Sequence, residues 1–293
     1  MTEFYPYNFG GIPKKFSDLS LSKYVILSIP YEATTTFGKG TKNGPSAIIE
    51  ASRNMELFDE ETFLNGYLDG IHTTSDLLFE DINPQKMVET VYNAAKDFIS
   101  MEKFLISIGG EHSISFPLYK AHKDLLGEIG VLQVDAHLDL RNSYEGTIFS
   151  HASVMKRIFE CCDKVVQVGI RSLSEEEGEF IKNYKGKIFW ARDIIKNKNW
   201  IKDVIESLPE KVYITFDVDG LDPSIMPATG TPEPGGLFYY ETLELLREVV
   251  QAKKVVGADF VELAPIPGQP SSDFLVSKLI YKLICYKKAK QNE

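Results

Sequence analysis

Residues 130–141 read GVLQVDAHLDLR. A run of strand-forming apolar residues stops, and carboxylate, imidazole and carboxylate follow at alternate positions, Asp135, His137 and Asp139. On an extended backbone, residues i, i+2 and i+4 project to one face. Two negative charges and a nitrogen donor would then share one small volume, which is costly unless something positive sits among them.

Similar runs stand at residues 24–29 (YVILSI), 104–108 (FLISI), 165–168 (VVQV), 187–190 (KIFW), 212–216 (VYITF) and 255–261. Between them the spacing predicts helices over 45–55, 84–100, 151–161, 175–184, 200–207 and 241–251. A closing helix over 272–286 carries Phe274, Leu275, Leu279, Ile280 and Leu283 at helical spacing, a stripe for docking on a core. No linker, repeat or shift of composition interrupts the alternation. Apolar strands alternating with helices imply a parallel sheet covered on both faces.

Ligands of such sheets bind outside the carboxyl ends of the strands. FLISI runs into GGEHS with His112, and GVLQV into Asp135, His137 and Asp139. KVYITF runs into Asp217 and Asp219, and KVVGADFV into Glu262 of ELAP. A single Asp-x-Asp or a single histidine after two glycines is ordinarily a cap or a loop residue. Four strands ending this way at one edge are not.

Asp135, Asp139, Asp217 and Asp219 bring four negative charges together, and His112 and His137 add two neutral donors. Bare, these carboxylates would raise one another's pKa values until some protonated. No lysine or arginine cluster flanks the motifs, and two divalent cations would balance the charge. An oxygen-rich set with two nitrogens suits manganese better than zinc or magnesium.

The net charge of −10 over 293 residues argues against a nucleic-acid footprint, which is basic. The three cysteines, Cys161, Cys162 and Cys285, are odd in number, two are adjacent, and no CxxC pair occurs, so a reduced chain is expected and cysteine is not a ligand. The stretch MTEFYPYNFG lacks the basic and apolar regions of a secretory leader. No apolar run reaches the roughly 18–20 residues of a membrane span. A cytoplasmic protein without a membrane partner is the expectation. His72 and His122 lie outside the motifs and receive no role.

GGEHS, DAHLD, residues 215–237 (TFDVDGLDPSIMPATGTPEPGGL) and DFVELAP together resemble the ureohydrolase family, which includes arginase and agmatinase. The likeness extends from residues 29–31 and 37–48 (FGKGTKNGPSAI) through QVGIR at 167–171 to LIYKL at 279–283. It implies a single domain over residues 1–293, a three-layer α/β/α architecture with a central, mainly parallel sheet of the arginase/deacetylase kind, and two Mn2+ ions. Carried over by position, it makes Asp135 and Asp217 bridging ligands, gives His137 and Asp219 one ion each, and makes His112 and Asp139 terminal ligands of different ions. Leu138 stands where many relatives have threonine, at a position whose side chain should point away from the metals.

The implied reaction is hydrolysis of a guanidino group to an amine and urea, with a water acidified between two ions as nucleophile. Glu262 resembles the glutamate that pairs with the guanidinium, and His151 the histidine near the leaving amine, suited to carry a proton. Residues 227–236 read as a stiff active-site rim in which Thr231 either touches substrate or serves as a turn residue. GKGTKNG lacks the phosphate-loop pattern and reads as a turn feeding a helix.

Between Asp139 and His151 the sequence LRNSYEGTIFS does not reproduce the small polar residues that hold an α-carboxylate and α-amine, so the agmatinase branch is the better match. Agmatine, giving putrescine and urea, is the expected substrate, with Glu145 a candidate for its distal amine. Aminopropylagmatine, arginine and guanidinobutyrate, the last against Arg141, are alternatives. A zinc-dependent polyamine deacetylase would need one ion and fewer ligands than stand here. The resemblance also implies a homo-oligomer, a trimer or hexamer.

Overall fold

The computed structural model describes residues 6–79 and 81–292, so the first five residues of the N-terminal stretch read above lie outside the described residues. Among the described residues, eight strands form one sheet: β1 (Tyr24–Ile29), β2 (Ile71–Thr73), β3 (Phe104–Gly109), β4 (Gly130–Val134), β5 (Val165–Ile170), β6 (Lys187–Trp190), β7 (Lys211–Asp217) and β8 (Lys254–Val261). Their order is β2-β1-β3-β8-β7-β4-β5-β6, and every neighbouring pair is parallel. The mainly parallel sheet expected above is therefore wholly parallel. The edge strand β2 was not anticipated, because three residues, one of them His72, carry no usable period.

Nine α-helices accompany the strands among the described residues: α1 (Gly44–Ser52), α2 (Pro84–Ser100), α3 (Ser115–Leu126), α4 (Val154–Phe159), α5 (Glu175–Phe180), α6 (Ala191–Ile194), α7 (Trp200–Ser207), α8 (Tyr239–Ala252) and α9 (Ser271–Asn292). Helix α2 starts where its chemistry says it should. Pro84 sits in the first turn, and the Asn83 side chain accepts from the amides of Gln85 and Lys86. The helix expected over 151–161 is a 3-10 turn at His151–Ser153 followed by the shorter α4. Helix α3 escaped the sequence reading; it follows GGEHS almost at once and holds Pro117 in its first turn, a position a helix tolerates.

Successive strand residues feed two separate cores. Tyr24, Ile26, Ile106, Ile108, Leu132 and Val134 pack toward α1, α7, α8 and α9. Val25, Leu27, Leu105, Val131 and Tyr213 pack toward α2, α3 and α4. This period-two division buries both faces of the sheet and makes the three layers.

The topology concentrates chemistry at one edge. After β3 the chain crosses to β4, and β7 and β8 return to fill the gap. The four strands that end in acidic or imidazole groups, β3, β8, β7 and β4, are thus consecutive in the middle of the sheet, at the switch of winding direction where a crevice opens.

The opposite edge is cationic. Lys23, Lys103, Lys164, Lys211 and Lys253 immediately precede or open strands. Helices run antiparallel to the strands, so their carbonyl ends gather here. Lys211 Nζ donates to the carbonyl of Leu126, the last residue of α3 (2.8 Å), and Lys253 Nζ to Leu208, just past α7 (2.7 Å). All three cysteines are free. Among the described residues, no helix is long and apolar enough to cross a membrane.

Candidate metal centre and active site

The turn after β3 explains GGEHS. A Cβ on Gly110 would lie 2.0 Å from the Tyr31 carbonyl oxygen, so only glycine lets the two segments cross. The crossing brings His112, 1% exposed, beneath the ends of the neighbouring strands.

His112 carries the strongest sign that a cation belongs here. Its Nε2 lies 2.9 Å from Thr215 Oγ1, and that hydroxyl donates to Asp259 Oδ1 at 2.8 Å. Asp259 also accepts from Ser115 and Tyr213. With the threonine proton committed to Asp259, His112 Nε2 carries the hydrogen and Nδ1 bears the bare lone pair. That Nδ1 is buried without a hydrogen-bond partner, yet lies 3.2, 3.0 and 3.3 Å from carboxylate oxygens of Asp135, Asp139 and Asp217. A lone pair facing three acceptors needs a positive charge between them. Without a metal a proton would have to serve: burial opposes it, but the three carboxylates drive the His112 pKa well above its ordinary value.

Two groups of side chains are close enough to hold ions, His112 with Asp135 and Asp139, and Asp135 with His137 and Asp219. They share Asp135, whose carboxylate could therefore serve both groups. Asp217 reaches toward His112 but is in neither group. The expected division between ions is corrected in one respect. His112 and Asp139 belong to the same group rather than to different ions, because the chain does not stay extended to the end of DAHLD. Asp139 has φ 55°, and this left-handed turn accompanies the return of its carboxylate to within 3.0 Å of His112. His137 Nδ1 instead lies 3.0 Å from Asp219 Oδ2. Leu138 is buried in the core, as its place in the alternation required.

Several groups that fix these ligands were not singled out in the sequence. Gln133 and Gln167 are register partners on β4 and β5. Gln167 Nε2 donates to Gln133 Oε1 (2.6 Å) and Gln133 Nε2 to Asp135 Oδ2 (2.5 Å), which orients the shared carboxylate. The matching glutamines of VLQV and VVQV were the available signal. Arg171 donates to the carbonyls of Asp219 (2.7 Å), Glu233 (2.9 Å) and Pro234 (3.1 Å), pinning the rim to the end of β7. Burial, opposed by the surrounding acids, pulls its pKa down from the usual guanidinium value. The rim also meets Gly38, where a Cβ would lie 2.7 Å from the Gly230 oxygen. GKGTKNG is a turn feeding α1, as expected.

A cavity of about 230 Å³ opens over this centre. Its lining includes His112, His137, Asp139, Asp217, Asp219, His151, Thr231 and Glu262, together with Arg141, Tyr144 and the solvent-exposed Phe37 and Leu173. Asp135 is fully buried and does not line it. Glu262, at φ 67°, accepts from the His112 amide at 2.7 Å. Burial and then Glu111 raise its carboxyl well above the ordinary range. Thr231 donates weakly to Asp219 Oδ2 (3.3 Å). Glu145 does not line the cavity. His72 and His122 bond to backbone carbonyls away from the centre, and burial lowers the pKa of His122 to about 4.

Burial and then Asp135 push Asp139 up to about 7, and burial and then Asp219 push Asp217 well above its usual value. A raised carboxylate stabilises the metal-free fold below its unfolded pKa near about 4, and that stability is lost as the pH rises through the folded value. Cations in the centre would relieve this loss by replacing the protons. The rise in Tm on adding Mn2+ is therefore expected to be larger at about pH 8 than at about pH 5. Equal rises in scanning fluorimetry at both pH values would place the ions elsewhere.

Residues 22–285 match the model of the Arginase family. The chain is 40% identical over 294 residues to the N(1)-aminopropylagmatine ureohydrolase of Synechocystis sp., covering 96% of each chain. It is 34% identical to the agmatinase of Pyrococcus horikoshii, covering 91% of this chain and 93% of that one. Among solved structures, the agmatine ureohydrolase of Thermoplasma volcanium superposes with a TM-score of 0.90 at 28% identity, covering 99% of this chain and 97% of that one.

Proposed function

The chain belongs to the arginase family, and from that premise we propose that its buried centre hydrolyses the guanidino group of a decarboxylated arginine derivative to an amine and urea. The observation that carries the reading is the paired ligand geometry, two groups sharing Asp135 beneath a cavity that also holds Glu262 and His151. The proposed ligands are His112, Asp135, His137, Asp139, Asp217 and Asp219, and the proposed ions two Mn2+, which suit a set of four carboxylates and two imidazoles. When bound, they would supply positive charge and acidify a water.

The remaining work falls to the chain itself. Glu262, walled off from solvent, pairs with the guanidinium and turns its carbon toward the ligands. His151, whose pKa burial lowers to about 4, stays neutral at working pH and can take up a proton and return it to the departing amine. The rim of Gly230 and Thr231, held by Gly38 and Arg171, limits water. We place all of this in one domain spanning residues 1–293, and the homo-oligomer and cytoplasmic location expected from the sequence belong to the same reading.

Agmatine is the substrate the sequence favours. N(1)-aminopropylagmatine is the second reading, favoured by the name of the Synechocystis relative, more similar than the agmatinase. Both present the same guanidino end, and the longer chain would extend past Phe37 and Leu173 at the mouth. After manganese loading, urea release is expected from one or both. The ratio of their kcat/KM values decides between them. Urea from arginine alone would overturn the decarboxylated substrate, and acetate from an acetylated polyamine without urea would overturn the reaction class.

A further inference from the structure

Thr34 and Glu111 belong to neither ligand group and do not line the cavity, yet both are buried beside residues that do. Thr34 is 7% exposed and Glu111 fully buried. Four donors converge on the Glu111 carboxylate. The amides of Ala33 and Thr34 reach Oε2 at 2.6 Å each, and the hydroxyls of Thr34 and Ser113 reach Oε1 at 2.7 and 2.6 Å. On its other side, Thr34 Oγ1 lies 3.0 Å from His151 Nδ1 and accepts from the His151 amide at 3.1 Å.

A hydroxyl has one hydrogen to give. Thr34 gives it to Glu111, the nearer neighbour, whose two oxygens already receive the amides of Ala33 and Thr34 and the Ser113 hydroxyl, so the Thr34 oxygen can only receive at Nδ1. We infer that Thr34, anchored by Glu111, is a positioning residue for the hydrolysis, receiving the Nδ1–H of His151 and thereby presenting a bare Nε2 lone pair for proton transfer. The inference deepens the role given to His151 above and rests on it. In this arrangement the resting imidazole is a proton acceptor at Nε2. The proton it gains there is the one it later gives to the leaving amine, and Nδ1 keeps its own hydrogen throughout. The Tyr144 ring stands edge-on to the imidazole at 5.6 Å, a second restraint on its plane.

The test compares Thr34→Val, Thr34→Ser, His151→Asn and the Val/Asn double variant as manganese-loaded enzymes. Thr34→Val removes only the hydroxyl and is expected to lower kcat roughly 10–100-fold with KM and bound manganese little changed. Thr34→Ser restores the hydroxyl and should recover most of the turnover. Because Thr34 acts through His151, the double variant should be no slower than His151→Asn. If His151→Asn is impaired and Thr34→Val is not, the relay is wrong while the role of His151 stands. If His151→Asn turns over normally, the role of His151 falls and the relay with it. Additive losses in the double variant also overturn the relay. Should Thr34→Val fail to load metal, neutron diffraction from the wild-type holoenzyme decides. Deuterium on Nδ1 and none on Nε2 upholds the assignment, and the reverse refutes it.

Discussion

Asp135→Asn is expected to abolish tight manganese binding and to lower kcat roughly 10³-fold or more, about 4 kcal/mol of transition-state stabilisation. Asp135 is the one residue common to both ligand groups, so its substitution removes a ligand from each. Its environment makes the effect specific. The side chain is fully buried, oriented by Gln133 and by the His137 amide at 2.6 Å, and flanked by His112 and His137. Asparagine keeps the shape and one acceptor oxygen but gives up the charge that two cations would share. The metal-free variant should melt lower than the metal-free wild type, because, against the cost of burial, His112 and His137 hold the Asp135 carboxyl well below its usual range and that stabilising charge is lost. The variant should fail to gain stability on addition of Mn2+. Metal analysis and scanning fluorimetry together check this, and a variant that retains two ions and a normal shift would falsify the shared-ligand geometry.

Glu262→Gln separates substrate capture from metal binding. Glutamine can still accept from the His112 amide, so the turn and the ions should remain, while the anion facing the cavity is gone. A loss of roughly 10²–10³-fold in kcat/KM is expected, the scale of one charged contact made by a largely buried carboxylate. The raised pKa of Glu262 adds a pH signature. A cationic guanidinium binds the ionised form, so KM should fall as the pH rises toward that value in the wild type. The variant should lack this limb of the profile. An unchanged limb in steady-state kinetics would assign it to another group and remove Glu262 from the role.

The fold was legible where β-branched and aromatic residues ran together. Residues 24–29 and 187–190 are strands to the residue, and all four site-bearing ends were read correctly as one edge. The six metal-capable residues and Glu262 and His151 do meet around one cavity and its floor. What failed to read through was conformation rather than composition. The alternation of DAHLD suggested an extended strand, and nothing in its letters announces the left-handed turn at Asp139 that pairs it with His112. Thr34 is one of three consecutive threonines, and only tertiary packing singles it out. Glu111 was visible merely as the neighbour of a ligand. Helix α3 was hidden because a proline near its start resembles a break when the preceding turn is not in view.

Asp139 and Glu262 both hold positive φ angles, 55° and 67°, in a region that favours glycine or asparagine. Such a backbone costs roughly 1–2 kcal/mol per residue and persists only where surrounding contacts enforce it. Optimising this chain for thermal robustness would therefore select glycine or asparagine at the two places where acid side chains are needed. Durability and turnover pull in opposite directions here, and a consensus-blind stability screen would enrich inert proteins.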